Sequence, residues 1–119
     1  MLPEKLTIQT LTDLYRNGTA SPVTVIEAVL ERLAANPDPA AWISTVPAEQ
    51  LRAEAAALAT TGYDPSKPLW GIPFAAKDNI DAAGLPTTAA CPAFAYNPGA
   101  DSTVVAKLRA AGAILVGKT

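Results

Sequence analysis

Two short apolar runs with one helix between them constrain this chain most. The first is Gly71-Ile72-Pro73-Phe74-Ala75-Ala76, and the second is Ala113-Ile114-Leu115-Val116. Near-continuous apolar text of this length reads as a strand covered on both faces, the habit of parallel sheets. Between them, Asp101-Ser102 caps a helix over 103–111, with Val104, Val105 and Leu108 inward and Gly112 as its stop. A strand, a helical crossover and a second strand make a parallel pair. Such a pair needs more strands and cover on both faces. The sequence therefore predicts an α/β chain: N-terminal helices over 1–62, then 69–119 as the first strand-loop-helix-strand unit of an incomplete mixed or parallel sheet. On this expectation, residues 1–119 form the N-terminal part of a larger domain and fold poorly by themselves.

The helices before it are legible from caps and periodicity. Thr7 precedes Ile8, Leu11, Leu14 and Tyr15 at helical spacing, and Asn17-Gly18 ends the run. Ser21-Pro22 opens a second helix with Val25, Ile26, Val29, Leu30 and Leu33 as its stripe. Asn36-Pro37-Asp38-Pro39 is a break, and Trp42-Ile43 a short extended piece. Pro47 opens an Ala-rich third helix that Gly62 ends. Residues 63–68 are a linker, and 78–100 a long ordered loop.

The last eight residues, Gly112 to Thr119, spell G-x-x-x-x-G-K-T, the letters of a phosphate-binding loop. The context is reversed. A phosphate loop follows a strand and opens a helix, whereas here a helix precedes Gly112 and the intervening Ala-Ile-Leu-Val favours extended backbone. The tail is read as helix stop and strand.

Composition removes several function classes. The chain is 50% apolar and 17% charged, which is globular rather than disordered. A net charge of −2 with no basic stripe excludes the electrostatic footprint of a nucleic-acid binder. Without histidine there is no Ser-His-Asp or Cys-His arrangement. One cysteine, Cys91, permits no internal disulfide or cysteine-based zinc site, and it reads as a buried, inert thiol. Asp78, Asn79 and Asp81 do not match calcium-loop spacing and read as a solvated turn, so no metal and no cofactor is expected. Neither a leader pattern nor a membrane-length apolar run is present, so the expectation is a soluble, cytoplasmic protein without membrane contact.

One residue has chemical promise. Lys77 ends the apolar run at 71–76 and precedes Asp78-Asn79-Ile80-Asp81. A lysine desolvated at a buried strand end is pushed towards its neutral form and can act as a base. The competing reading is a plain ion pair with Asp78 or Asp81.

The stretches GIPFAAKDNIDAAGLPTT and DSTVVAKLRAAGAILVGKT resemble the N-terminal part of the amidase-signature hydrolases. That family carries a G-[IV]-P-x-x-x-K-D-N strand end, a G-x-x-T-T loop and a helix-to-strand run ending in G-K-T. The match is dense over 69–119. PTTAACPAFAY, where many relatives have Gly-Ser after Thr-Thr-Ala, is similar to the allophanate hydrolase subgroup, as is AAWIS more loosely. The resemblance implies hydrolysis of a small-molecule amide by a Ser–cis-Ser–Lys mechanism, with Lys77 at the lysine position. For the subgroup it implies allophanate cleaved to ammonia and carbon dioxide in urea degradation, and for the whole protein a homodimer. The family's two serines have no counterpart among Ser21, Ser44, Ser66 and Ser102, so residues 1–119 alone are expected to be inactive. Two further readings stand beside it. One is a generic amidase or the amidase subunit of a glutamyl-tRNA amidotransferase. The other is a non-catalytic remnant that needs a partner to complete its sheet.

Overall fold

The structure, a computed structural model, describes residues 2–36 and 38–119. Among the described residues, four helices and three strands run in the order α1 (Ile8–Arg16), α2 (Pro22–Ala34), β1 (Ser44–Thr45), α3 (Ala48–Thr61), β2 (Pro73–Ala76), α4 (Thr103–Ala110) and β3 (Ile114–Lys118). Single 3-10 turns lie at Pro39–Ala41 and Pro92–Phe94. The expected caps are in place. The side chains of Thr7, Ser21 and Ser102 accept from the amides of Thr10, Thr24 and Val105, satisfying donors that each helix start leaves free. Of the expected break at 36–39, Pro37 lies outside the described residues.

The sheet is mixed, in the order β1-β3-β2. β3 lies in the middle, parallel to β2 as the helical crossover requires and antiparallel to β1. β1 falls two residues after the extended piece expected at Trp42-Ile43. It pairs Ser44 with Lys118 and Thr45 with Gly117. Gly117 permits that approach, because a Cβ there would meet the Ser44 carbonyl oxygen and the Thr45 Cα.

Three local expectations change. All five residues of β3 are buried, Gly117 and Lys118 included, so the strand runs two residues past Val116. β2 is not covered on both faces: Pro73 and Phe74 are half-buried, Ala75 is exposed and only Ala76 is buried. It is the outer strand here, with β3 on one side only. On α4, Val105 is buried but Val104 is half exposed, because the inward stripe of a helix is narrower than a run of adjacent valines.

Two clusters make the core. Ile26, Leu51, Ala55, Val105 and the Ile114–Val116 run bury one face of α2, α3 and α4 against the sheet. Leu11, Tyr15, Val25, Trp70 and Ile72 fasten α1 to the approach to β2, with Tyr15 and Tyr63 edge-on to Trp70 at 5.2 and 5.5 Å.

Candidate functional site

Lys77 stands just past the C-terminal end of β2, clamped by two backbone hydrogen bonds. The Thr119 amide donates to the Ala76 carbonyl at 2.9 Å, and the Asp78 amide donates to the Thr119 carbonyl at 2.8 Å. Successive side chains of extended backbone point to opposite faces. Ala76 and Asp78 are buried on one side, and Lys77 is exposed on the other. It lines a cavity of about 210 Å³ with Asn79, Ala89, Ala90 and Thr119.

The expected desolvation of Lys77 is therefore not present in this chain, because β2 is the sheet edge. Neither is the competing ion pair. Among the described residues, Asp78 pairs with Lys118 and Asp81 is engaged by hydroxyls.

Asp78 is the centre of the site's scaffold. Its side chain and that of Lys118 are shut off from solvent, with Nζ 3.2 Å from Oδ1 in an ion contact rather than an aligned hydrogen bond. Lys118 also donates to the Pro86 carbonyl at 3.2 Å. The Thr88 hydroxyl and amide donate to Oδ2 of Asp78. The amides of Thr88 and Ala89 donate to its carbonyl at 3.2 and 3.0 Å. Burial pushes the Asp78 carboxyl up, but the Thr88 hydroxyl, the Lys118 ammonium and the Ala90 amide outweigh it, leaving the group below the ordinary carboxylate range.

Two more aspartates fix the rest of the 78–100 loop. Tyr96 and Thr87 donate their hydroxyls to Asp81 at 2.6 and 2.8 Å, which lowers the carboxyl and raises the Tyr96 phenol. Thr87 and Tyr96 also exchange backbone hydrogen bonds at 2.9 and 3.0 Å, closing a small bridge. Asp101 accepts the Ala83 amide at 2.8 Å and pairs with Arg109 at 3.1 Å. The loop is ordered, as expected, and its carboxylates are internal fasteners rather than a solvated turn. Within it, Ala89 and Ala90 adopt φ of 49° and 60°, a left-handed conformation unusual for alanine. Both line the cavity that Lys77 also lines. Cys91, expected to be buried, is half-buried.

Lys118 is the residue that the motif reading passed over. It ends β3, every residue of which is buried, and Asp78 lies just past the end of the neighbouring strand, so the fold brings two opposite charges together away from water.

Comparison with known proteins places the chain in a family. Residues 24–119 match the Amidase family. The chain is 44% identical over 113 residues to a urea amidolyase of Saccharomyces cerevisiae, covering 94% of this chain and 6% of that protein. It is 50% identical over 96 residues to a urea amidolyase of Lachancea kluyveri, covering 81% of this chain and 5% of that one. Among solved structures, Kluyveromyces lactis allophanate hydrolase superimposes with a TM-score of 0.76 at 41% identity, over 96% of this chain and 19% of that chain. The chain thus spans a small part of the proteins it matches.

Proposed function

The chain belongs to the amidase family, and from that premise we propose that it supplies the lysine-bearing part of an amide hydrolase acting on allophanate. The observation that carries the proposal is Lys77 itself. It projects into a cavity at the end of β2, while the carboxylate beside it in sequence is held by a different cation. A lysine amine at a strand end can serve in proton transfer once the rest of the enzyme covers it. Identity of 44–50% to urea amidolyases, together with PTTAACPAFAY, supports allophanate over a simple amide or the amidotransferase reading.

In this mechanism neutral Lys77 takes a proton relayed through one serine from a second, nucleophilic serine. The activated oxygen attacks the amide carbonyl, the nitrogen leaves as ammonia after protonation, and water releases the acyl group. Ser21 and Ser102 are spent on helix caps, Ser66 bonds Asp64, and Ser44 lies in β1. None of them is offered as the nucleophile, so residues 1–119 alone are proposed to be inactive. The base must also lose its proton, which requires the rest of the enzyme to cover Lys77. The same reading makes the enzyme cytoplasmic and free of cofactors; among the described residues, no helix is long and apolar enough to cross a membrane.

The test is turnover by the intact protein. Allophanate should be hydrolysed well ahead of simple amides, and Lys77→Ala should abolish turnover while the circular-dichroism spectrum and melting temperature stay unchanged. Retained turnover in the variant removes Lys77 from the mechanism. Preference for simple amides removes the substrate assignment.

A further inference from the structure

The β2–β3 ladder is irregular where it matters. Pro73 faces Ile114 and Phe74 faces Leu115, but Ala75 faces Gly117 and Ala76 faces Lys118, so Val116 is an extra residue without a β2 partner. A bulge of this kind re-aims the side chains that follow it, and a slip of one residue turns each to the opposite face. Register is usually set by apolar packing. Beyond this bulge there is little to pack: Ala75 is exposed, Gly117 has no side chain, and Ala76 is small. What remains is a charged pair out of contact with water, Lys118 against Asp78.

We infer that the buried Asp78–Lys118 pair sets the register of the strand ends after the bulge and thereby aims Lys77 into the cavity, making Asp78 and Lys118 positioning residues for the base. The inference rests on the reading of Lys77 given above. Buried ion pairs stabilise poorly compared with apolar side chains of similar volume, and specifying a register is their best-attested use. The geometry here has that form. With Asp78 held inward, its neighbour Lys77 must face outward. In this register the Thr119 amide donates to Ala76 and the Asp78 amide donates to Thr119. Asp78 also holds Thr88 and Ala89, so one pair orients both the base and the left-handed Ala89-Ala90 segment that lines the same cavity.

The experiment compares the intact protein with the double variant Asp78→Asn/Lys118→Met and, separately, with Lys77→Ala. Turnover, KM, melting temperature and amide hydrogen exchange are read for each. The double variant should stay folded and lose about 100-fold in kcat, the scale of a displacement of about 1 Å, with KM nearly unchanged. Exchange should accelerate at the amides of Asp78 and Thr119 and not in α2 or α3, a local signature that general destabilisation does not give. A folded double variant with wild-type kcat and wild-type protection at those two amides overturns the inference. If Lys77→Ala retains activity, the base assignment fails, and the exchange pattern alone decides the register. Should the double variant not fold, Asp78→Asn/Lys118→Gln carries the same readings, since it keeps an acceptor for Thr88 and leaves no charge buried; wild-type kcat and protection there likewise overturn the inference.

Discussion

The Tyr15 hydroxyl donates to the Gly71 carbonyl at 2.7 Å, joining α1 to the residue that leads into β2 across 56 positions of sequence. Both partners are buried, and burial pushes the phenol well above its ordinary pKa, so it remains a donor throughout the useful pH range. Removing the hydroxyl leaves a carbonyl without a partner in an apolar cluster. Tyr15→Phe should cost about 1–2 kcal/mol, read as a lower urea midpoint with an unchanged m-value. A midpoint equal to wild type would mean that water replaces the hydroxyl.

Two glycines with similar backbone should respond very differently to alanine. Gly112 has φ of +97°, and a Cβ there would lie 2.7 Å from the Trp70 Cα. Gly84 has φ of +93° with nothing within 4 Å. Gly84→Ala should cost about 1–2 kcal/mol for left-handed strain alone. Gly112→Ala adds a backbone clash that no rotamer relieves, for a total of roughly 2–5 kcal/mol. Equal melting temperatures for the two variants would contradict the close packing of Trp70 on the turn into β3.

These contacts also show what the sequence made legible. Caps and stripes depend on neighbours a few residues apart, so Thr7, Ser21, Ser102 and Gly112 were readable directly. The crossover fixed the parallel pairing of β2 and β3. β1 was harder, because two residues carry no periodicity and Ser44-Thr45 becomes strand only by pairing with Gly117 and Lys118. Lys77 was singled out by its place at the end of an apolar run and by the family resemblance, but its exposure was not legible, since that depends on which strands flank β2. Lys118 was hidden by its place in a misleading phosphate-loop pattern, and its role requires a partner 40 residues away. The roles of Asp81 and Asp101 likewise arise only once the loop has closed on itself.

Acid sensitivity should centre on the loop. Hydrogen bonds from Tyr96 and Thr87 hold Asp81 below its ordinary value. The folded carboxyl therefore binds protons less readily than the unfolded one, which titrates near ~3.9. Its contribution is present above that value and is lost as pH falls through the folded one. Tyr96→Phe removes the larger influence, so it should raise the folded pKa of Asp81 and flatten the loss of stability below about pH 4. The measurement is thermal melting from pH 7 down to acid for both proteins. A slope unaffected by the substitution would detach Asp81 from acid unfolding.

Breaking the buried pair from one side should reverse the sign of a pH effect. In the wild type, Asp78 sits below its ordinary value, so its contribution grows as pH rises through the window beneath that value. Lys118→Met takes away the cation and leaves burial, the largest single influence on Asp78, opposed only by Thr88 and Ala90. The folded pKa should then rise above the unfolded one. Stability is in that case full at low pH, where both states are protonated, and is lost as pH climbs towards the raised value. Near neutrality the single variant should cost about 3–5 kcal/mol, the usual penalty for an uncompensated buried charge. Pairing it with Asp78→Asn should recover most of that loss, because no charge is left buried. Chemical denaturation of the intact protein at pH 7 and near pH 4 gives all four corners of the cycle. If Lys118→Met is no worse at pH 7 than near pH 4, Asp78 is reached by water and the pair is not the closed contact that places Lys77.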